Sequence, residues 1–154
     1  MPLAFNRFLA RPLTERAGPL HGESHSSLRV VVVFTSVEAT VEALRKAGVL
    51  AHRLGACITL LVPQVVPYPL PITSPPVLLE FNEKRFRVIA EESPVQTNVR
   101  IYLCRDRFVE LANVLEPHSL VVIGGRKKWW ATAEKKLAKH LRRAGHEVIL
   151  VETE

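Results

Sequence analysis

The sequence predicts an α/β domain: an open, doubly wound, five-stranded parallel sheet with helices on both faces. Three observations carry that expectation. From Leu28 onward, strand-like and helix-like segments alternate strictly, giving βαβαβαβαβ. Most of the strand segments are continuous apolar, β-branched runs, the pattern of strands buried on both faces of a parallel sheet. The helical segments are bounded by glycine or capping signals at the spacing helices require.

The first strand is Leu28-Arg29-Val30-Val31-Val32-Val33-Phe34-Thr35. Val37, Val41, Leu44, Ala47, Ala51 and Leu54 then recur at helical spacing, and Gly55 stops that helix. Ala56 to Val66 reads as the second strand, and the prolines from Pro67 to Pro76 make the next segment a stiff loop. Val77 to Glu92 is expected to be helical, and Val95 to Cys104 alternates into a third strand. Asp106 is placed to cap a helix bearing the stripe Phe108, Leu111, Ala112 and Leu115. Ser119 to Ile123 is the fourth strand, ending at Gly124-Gly125. Trp130, Ala133, Leu137, Leu141 and Ala144 form the apolar face of a last helix closed by Gly145, and Glu147 to Val151 is the fifth strand. Alternation of this kind implies a parallel sheet covered on both sides. Ligands of such sheets bind beyond the carboxyl ends of the strands, where strand order reverses. That directs attention to the loops after Thr35, after Val62 and after Ile123.

The chain has 154 residues, enough for one domain with a core that needs neither disulfide nor metal. Residues 28–154 are expected to form that domain. Residues 1–27, with three prolines, two glycines and a His/Ser-rich stretch, are expected to be a disordered tail. No apolar run approaches the length of a membrane span, and the opening residues do not have the order of a secretory signal, so the cytoplasm is the expected location. The two cysteines, Cys57 and Cys104, fall at opposite ends of their strands and are expected to remain thiols. The net charge of +6 is uneven: residues 126–143 hold eight Lys or Arg and one acid, so the rest of the chain is close to neutral.

From Leu28 to Glu152 the chain resembles the universal stress protein family. Val30-Val31-Val32-Val33-Phe34-Thr35-Ser36-Val37-Glu38-Ala39-Thr40 is similar to that family's opening strand, and Leu54-Gly55-Ala56-Cys57-Ile58-Thr59-Leu60-Leu61 to its entry into strand two. Leu115 to Gly125 resembles the fourth strand, and Ala133 to Val151 the closing helix and strand. The resemblance implies the strand order 3-2-1-4-5, and a homodimer formed through the fifth strand, Glu147, Val148, Ile149, Leu150 and Val151. It also implies where this chain departs from the family. ATP-binding members end strand one in an Asp that meets the nucleotide, and here the matching residue is Thr35. They carry Gly-x2-Gly-x9-Gly-(Ser/Thr) after strand four, whereas here Gly124 fits the first glycine, Lys127 stands at the second, and no glycine occurs between Gly125 and Gly145. Those glycines let backbone approach phosphate, so the triphosphate grip is expected to be lost.

A regulatory, stress-associated protein that is not an enzyme is therefore the first expectation, with no catalytic or metal-ligating set to nominate. The expected ligand site comprises Thr35, Val62, Gly124, Gly125, Arg126 and Lys127. Its centre is Gly124-Gly125-Arg126-Lys127-Lys128, where backbone donors, cations and a helix start would combine to hold a small anion. No cofactor is fixed by the residues; ATP or another nucleotide is what the resemblance holds out. Trp129-Trp130 admits three readings, a base-stacking platform, a docking surface or core, and the helical wheel places Trp130 on the core face. Two alternatives stay open. One is a nucleotide-binding protein with weak hydrolase chemistry. The other is a module that binds nucleic acid or an anionic membrane surface through Lys128, Lys135, Lys139 and Arg142 of the last helix, with Lys136 and Arg143 beside them.

Overall fold

The computed structural model describes residues 28–73, 75 and 79–154, so the expected N-terminal tail and the start of the second helix at Val77 lie outside the described residues. Five strands, β1 (Arg29–Val33), β2 (Cys57–Val65), β3 (Thr97–Cys104), β4 (Leu120–Arg126) and β5 (Glu147–Thr153), alternate with helices α1 (Val37–Leu54), α2 (Leu79–Ala90), α3 (Leu111–Val114) and α4 (Ala133–Arg143). All pairings are parallel, and the sheet order is β3-β2-β1-β4-β5, as expected.

The pleat divides the strand residues between two cores. Val30, Val32, Ile58, Leu60 and Val122 pack with Ala43, Leu44 and Ala47 of α1 and with Phe86 and Ile89 of α2. Val33, Leu61, Val121 and Ile123 pack on the other face with Leu111, Leu137 and Leu141 of α3 and α4. Each buried Val, Leu or Ile contributes about 1.5–3 kcal/mol, so the double cover is what holds this sheet together.

Helix α1 begins where the sequence says it should. Ser36 accepts from the Ala39 N–H, and Gly55 closes the helix at φ 63°, a left-handed cap that glycine adopts without strain. Its buried face differs from the expected one. Val37 and Leu54 are exposed, and the sheet is met by Ala39, Ala43, Ala47 and Ala51, a ridge of small residues four apart. That ridge lets the helix axis come close to β1 and β4.

Several other expectations are corrected. The helix expected to start at Asp106 is only the single turn Leu111–Val114. Asp106 instead accepts from the Phe108 and Val109 N–H groups, closing a turn, while the Arg107 carbonyl is held by the Tyr102 hydroxyl at 2.9 Å. This segment is tied to β3 and forms turns as far as Leu111. β4 does not end at Ile123 but runs through both glycines to Arg126, paired with Val151, Glu152 and Thr153 of β5. β2, expected over Ala56 to Val66, runs from Cys57 to Val65 and pairs with β3 as far as Cys104, so the loop expected after Val62 begins only beyond Val65. The ladder to β1 stops at Leu61, so Pro63 interrupts no bond to β1. Trp130 is not on the face of the last helix: Thr132 accepts from the Lys135 N–H and starts α4 two residues later, leaving Trp130 half exposed. Ala133 and Ala144 are exposed too, and Leu137, Ala138 and Leu141 alone make the buried face.

Cys57 opens β2 and Cys104 lies opposite its end, roughly 26 Å away along the strand. Both are free thiols, and burial pushes the Cys104 thiol up to about 12, so it is inert at neutral pH.

At the amino end of the sheet, buried His146 accepts from the Ser119 N–H through Nδ1 at 3.1 Å. Burial, and then the neighbouring His118, hold its pKa below the ordinary 6.5. Above that value His146 is neutral folded or unfolded, so stability is complete. As pH falls below about 6.5, the unfolded chain gains a proton that the folded chain refuses, and stability declines. Urea midpoints taken from about pH 7 down to about pH 5 are expected to fall. His146→Asn, which keeps an acceptor for Ser119, is expected to flatten that dependence; an unchanged slope would show that other groups cause it.

Candidate functional site

The carboxyl end of the sheet is where this architecture places ligands, and it is built around the end of β1. Thr35 is buried there with its polar atoms engaged. Its hydroxyl donates to the Gly124 carbonyl at 2.7 Å, its N–H donates to Thr40 Oγ1 at 3.2 Å, and its carbonyl accepts from the Arg107 guanidinium at 2.9 Å. The main-chain ladder from β1 to β4 stops at Val33–Ile123, so the Thr35 side chain extends it by one more bond.

Gly124 is a packing residue. A Cβ there would lie 2.1 Å from the Ala39 carbonyl oxygen of α1, a clash with backbone. Gly125, next in the strand, faces the other layer, and its Cβ would lie 3.2 Å from Glu134 Cβ. Both glycines are therefore strand residues that admit close helices, α1 on one side and α4 on the other. Val62 is fully buried in mid-strand among the α1-face core.

Arg126 and Lys127 are exposed at the end of β4, and the Lys127 N–H is taken by the Thr153 carbonyl at 2.7 Å. With Lys128 they form one wall of an open groove of about 650 Å³, and Val37, Glu38, Val41 and Glu42 of α1 form the other, closed off by Thr153 and Glu154. Three cations and three carboxylates line it, so the groove is charge-balanced. The helix start expected beside the cations lies farther on. Five residues separate Lys127 from Ala133, because Thr132 is the residue that caps α4. Thr35 and Gly124 are thus brought together by the fold, Arg126 and Lys127 are brought together in the groove, and Val62 joins neither group.

Two further arginines stand at this end of the sheet, and sequence patterns do not single them out. Arg107 crosses from the β3–α3 turn to the end of β1, and Arg105 donates to the Val66 and Leu70 carbonyls while stacking at 4.0 Å over Tyr68. Their signal is the Arg105-Asp106-Arg107 run immediately after a strand, at the sheet end where ligands bind. Arginines placed there to satisfy carbonyls cannot be told by sequence from arginines placed to bind phosphate.

The cationic stripe expected on α4 is split. Lys135 donates to the Lys128 carbonyl and lies 3.6 Å from Glu152, and Arg142 donates to the Val148 carbonyl at 2.9 Å. Lys136, Lys139 and Arg143 are exposed. No group of three or more His, Cys, Asp or Glu residues suited to a metal occurs among the described residues, and no helix among them is long and apolar enough to cross a membrane.

No family model matches the sequence, and no curated relative does. The fold, by contrast, is that of universal stress proteins. A universal stress protein from Archaeoglobus fulgidus superposes with a TM-score of 0.56 at 16% identity, over 81% of this chain and 93% of that one. A protein of the universal stress protein family from Burkholderia pseudomallei gives 0.54 at 19% identity, over 85% and 100%. A universal stress protein solved in complex with cAMP gives 0.51 at 16% identity, over 82% and 98%.

The two glycines differ in a measurable way. Gly124→Ala is expected to lower stability by about 3 kcal/mol, because α1 backbone must move. Gly125→Ala is expected to stay within about 1 kcal/mol of the parent. Chemical denaturation of the two variants checks this, and equal losses would contradict the packing role assigned to Gly124.

Proposed function

We propose that this chain is a regulatory protein of universal stress type that does not hold ATP as the ATP-binding members do. On this reading it acts through dimerisation and protein contacts, with a small-anion site at Arg126 and Lys127. The observation that carries the reading is the internal use of every Thr35 polar group by Gly124, Thr40 and Arg107. A nucleotide at the end of β1 would have to displace Arg107 and would find a hydroxyl already committed. The sequence supports the same conclusion, since Lys127 stands where the phosphate-binding motif has a glycine and none occurs from there to Gly145. The anion, where it binds, is held by side chains of the groove and not by the Lys127 amide, which Thr153 occupies.

Dimerisation is proposed through β5, an edge strand paired only with β4. Ile149 is 40% exposed on it, a large apolar side chain at a sheet edge. Glu147 bonds toward β4, and outward-pointing backbone groups alternate along a parallel strand, so those of Val148, Leu150 and Glu152 face the open side. Arg142 already donates to the Val148 carbonyl, which confines strand pairing to the later residues unless that arginine swings away.

A second reading, a nucleotide-binding stress protein, is favoured by the fold neighbour solved with cAMP and by a groove roomy enough for a nucleotide. Calorimetric titration separates the two. The proposal expects no saturable binding of ATP, AMP or cAMP at millimolar concentration, and a saturable isotherm for any of them would replace it with the second reading. Light scattering at tens of micromolar protein is expected to give a dimer, with Ile149→Lys shifted to monomer; a monomeric parent protein would remove the dimer from the account.

A further inference from the structure

The β4–α4 loop carries a feature that neither the fold nor the proposed regulatory role requires. Trp129 is 93% exposed and Trp130 48% exposed, side by side between the end of β4 and the Thr132 cap. An indole has one of the largest apolar surfaces among side chains, and soluble proteins rarely leave two together in water. The cations stand next to them in sequence. Arg126 and Lys127 are exposed, the Lys128 ammonium lies 4.7 Å from the centre of the Trp130 ring, and Lys136 comes one turn into α4. Residues 126–143 carry a net +7 on a chain whose remainder is near neutral.

We propose that the Trp129-Trp130 loop, with Arg126, Lys127 and Lys128, is an anchor for an anionic lipid surface. Two kinds of group are needed for stable peripheral binding, an apolar element that enters the headgroup boundary and cations that meet the phosphates, and this loop supplies both within five residues. Tryptophan suits the first task because its ring is amphipathic: the apolar body sinks and the indole N–H stays at the polar level.

The geometry favours this surface over a nucleic acid. Successive bases stack on roughly parallel aromatic faces. Here the two rings are nearly perpendicular, 85° apart with centroids at 5.6 Å, and one face of Trp130 lies under the Lys128 ammonium. A lipid boundary demands no such parallel platform. Glu38, Glu42 and Glu154 share the groove with the three cations, so charge alone gives weak attraction, and the tryptophans are needed for retention. The anchor does not depend on dimerisation through β5; it shares Arg126 and Lys127 with the proposed small-anion site, and a free anion held there would not require the tryptophans.

The chain has only two tryptophans, both in this loop, so indole emission reports on it alone. The experiment uses the full chain with vesicles of phosphatidylcholine, either pure or mixed with phosphatidylglycerol, at low and at physiological salt. The expected result is a blue shift and co-sedimentation with the anionic vesicles, weakened by salt, and neither with the neutral ones. Arg126→Gln/Lys127→Gln/Lys128→Gln is expected to reduce partitioning on the order of a hundredfold, since each basic residue near such a surface is worth about fivefold. Trp129→Ala/Trp130→Ala is expected to abolish sedimentation with its circular dichroism unchanged, because neither ring is in the core. The proposal is overturned by absence of shift and sedimentation at low salt, by equal partitioning into neutral vesicles, or by sedimentation that survives loss of both tryptophans. Saturable quenching by single-stranded DNA, with no response to vesicles, would assign the loop to nucleic acid instead.

Discussion

The hydrogen bond from the Thr35 hydroxyl to the Gly124 carbonyl, with Ala39 pressed against the same glycine, fixes the carboxyl end of the sheet. It joins the end of β1 to β4 beyond the last main-chain pair, and it requires α1 to sit so close that no side chain fits at position 124. The alanine ridge of α1 makes that approach possible along the whole helix. Once the helix is seated, Thr40 takes the Thr35 N–H, and Arg107 reaches the remaining carbonyl from across the sheet. The place where strand order reverses, which in this architecture usually receives a ligand, is here closed by the protein's own polar groups.

A consequence is where the charge goes. Arg105 and Arg107 are used to satisfy carbonyls, and Lys135 and Arg142 hold the β4–α4–β5 corner together. Arg126, Lys127, Lys136, Lys139 and Arg143, exposed and outside those bonds, belong to the end of β4 and to α4. At this corner of the described residues, those exposed cations lie on one loop and one helix surface, which is where the lipid anchor is proposed.

Much of this fold was legible in the sequence because parallel strands buried on both faces announce themselves as apolar runs, and because Gly55 closes α1 for a local reason, its left-handed conformation. The strand order came with the family resemblance, not with the periodicity. What failed to show were features decided at long range. An apolar stripe after Asp106 is a helix signal, yet bonds from Tyr102 and to Thr35 hold that segment in a turn. Gly124-Gly125 looks like a loop, but strand pairing to β5 and a nearby helix give glycine another reason to be there. Trp130 shares a helical spacing with Leu137, but the helix begins too late to use it. In each case the residue pattern was real, and contacts outside the pattern decided its meaning.

Backbone NMR during titration with ATP shows, residue by residue, where any ligand sits. The amides of Thr35, Ser36, Gly124 and Gly125 are expected not to shift up to millimolar nucleotide, any change being confined to the exposed groove residues near Arg126 and Lys127. Saturable shifts centred on Thr35 and Gly124, with loss of the Arg107 contact, would contradict that expectation.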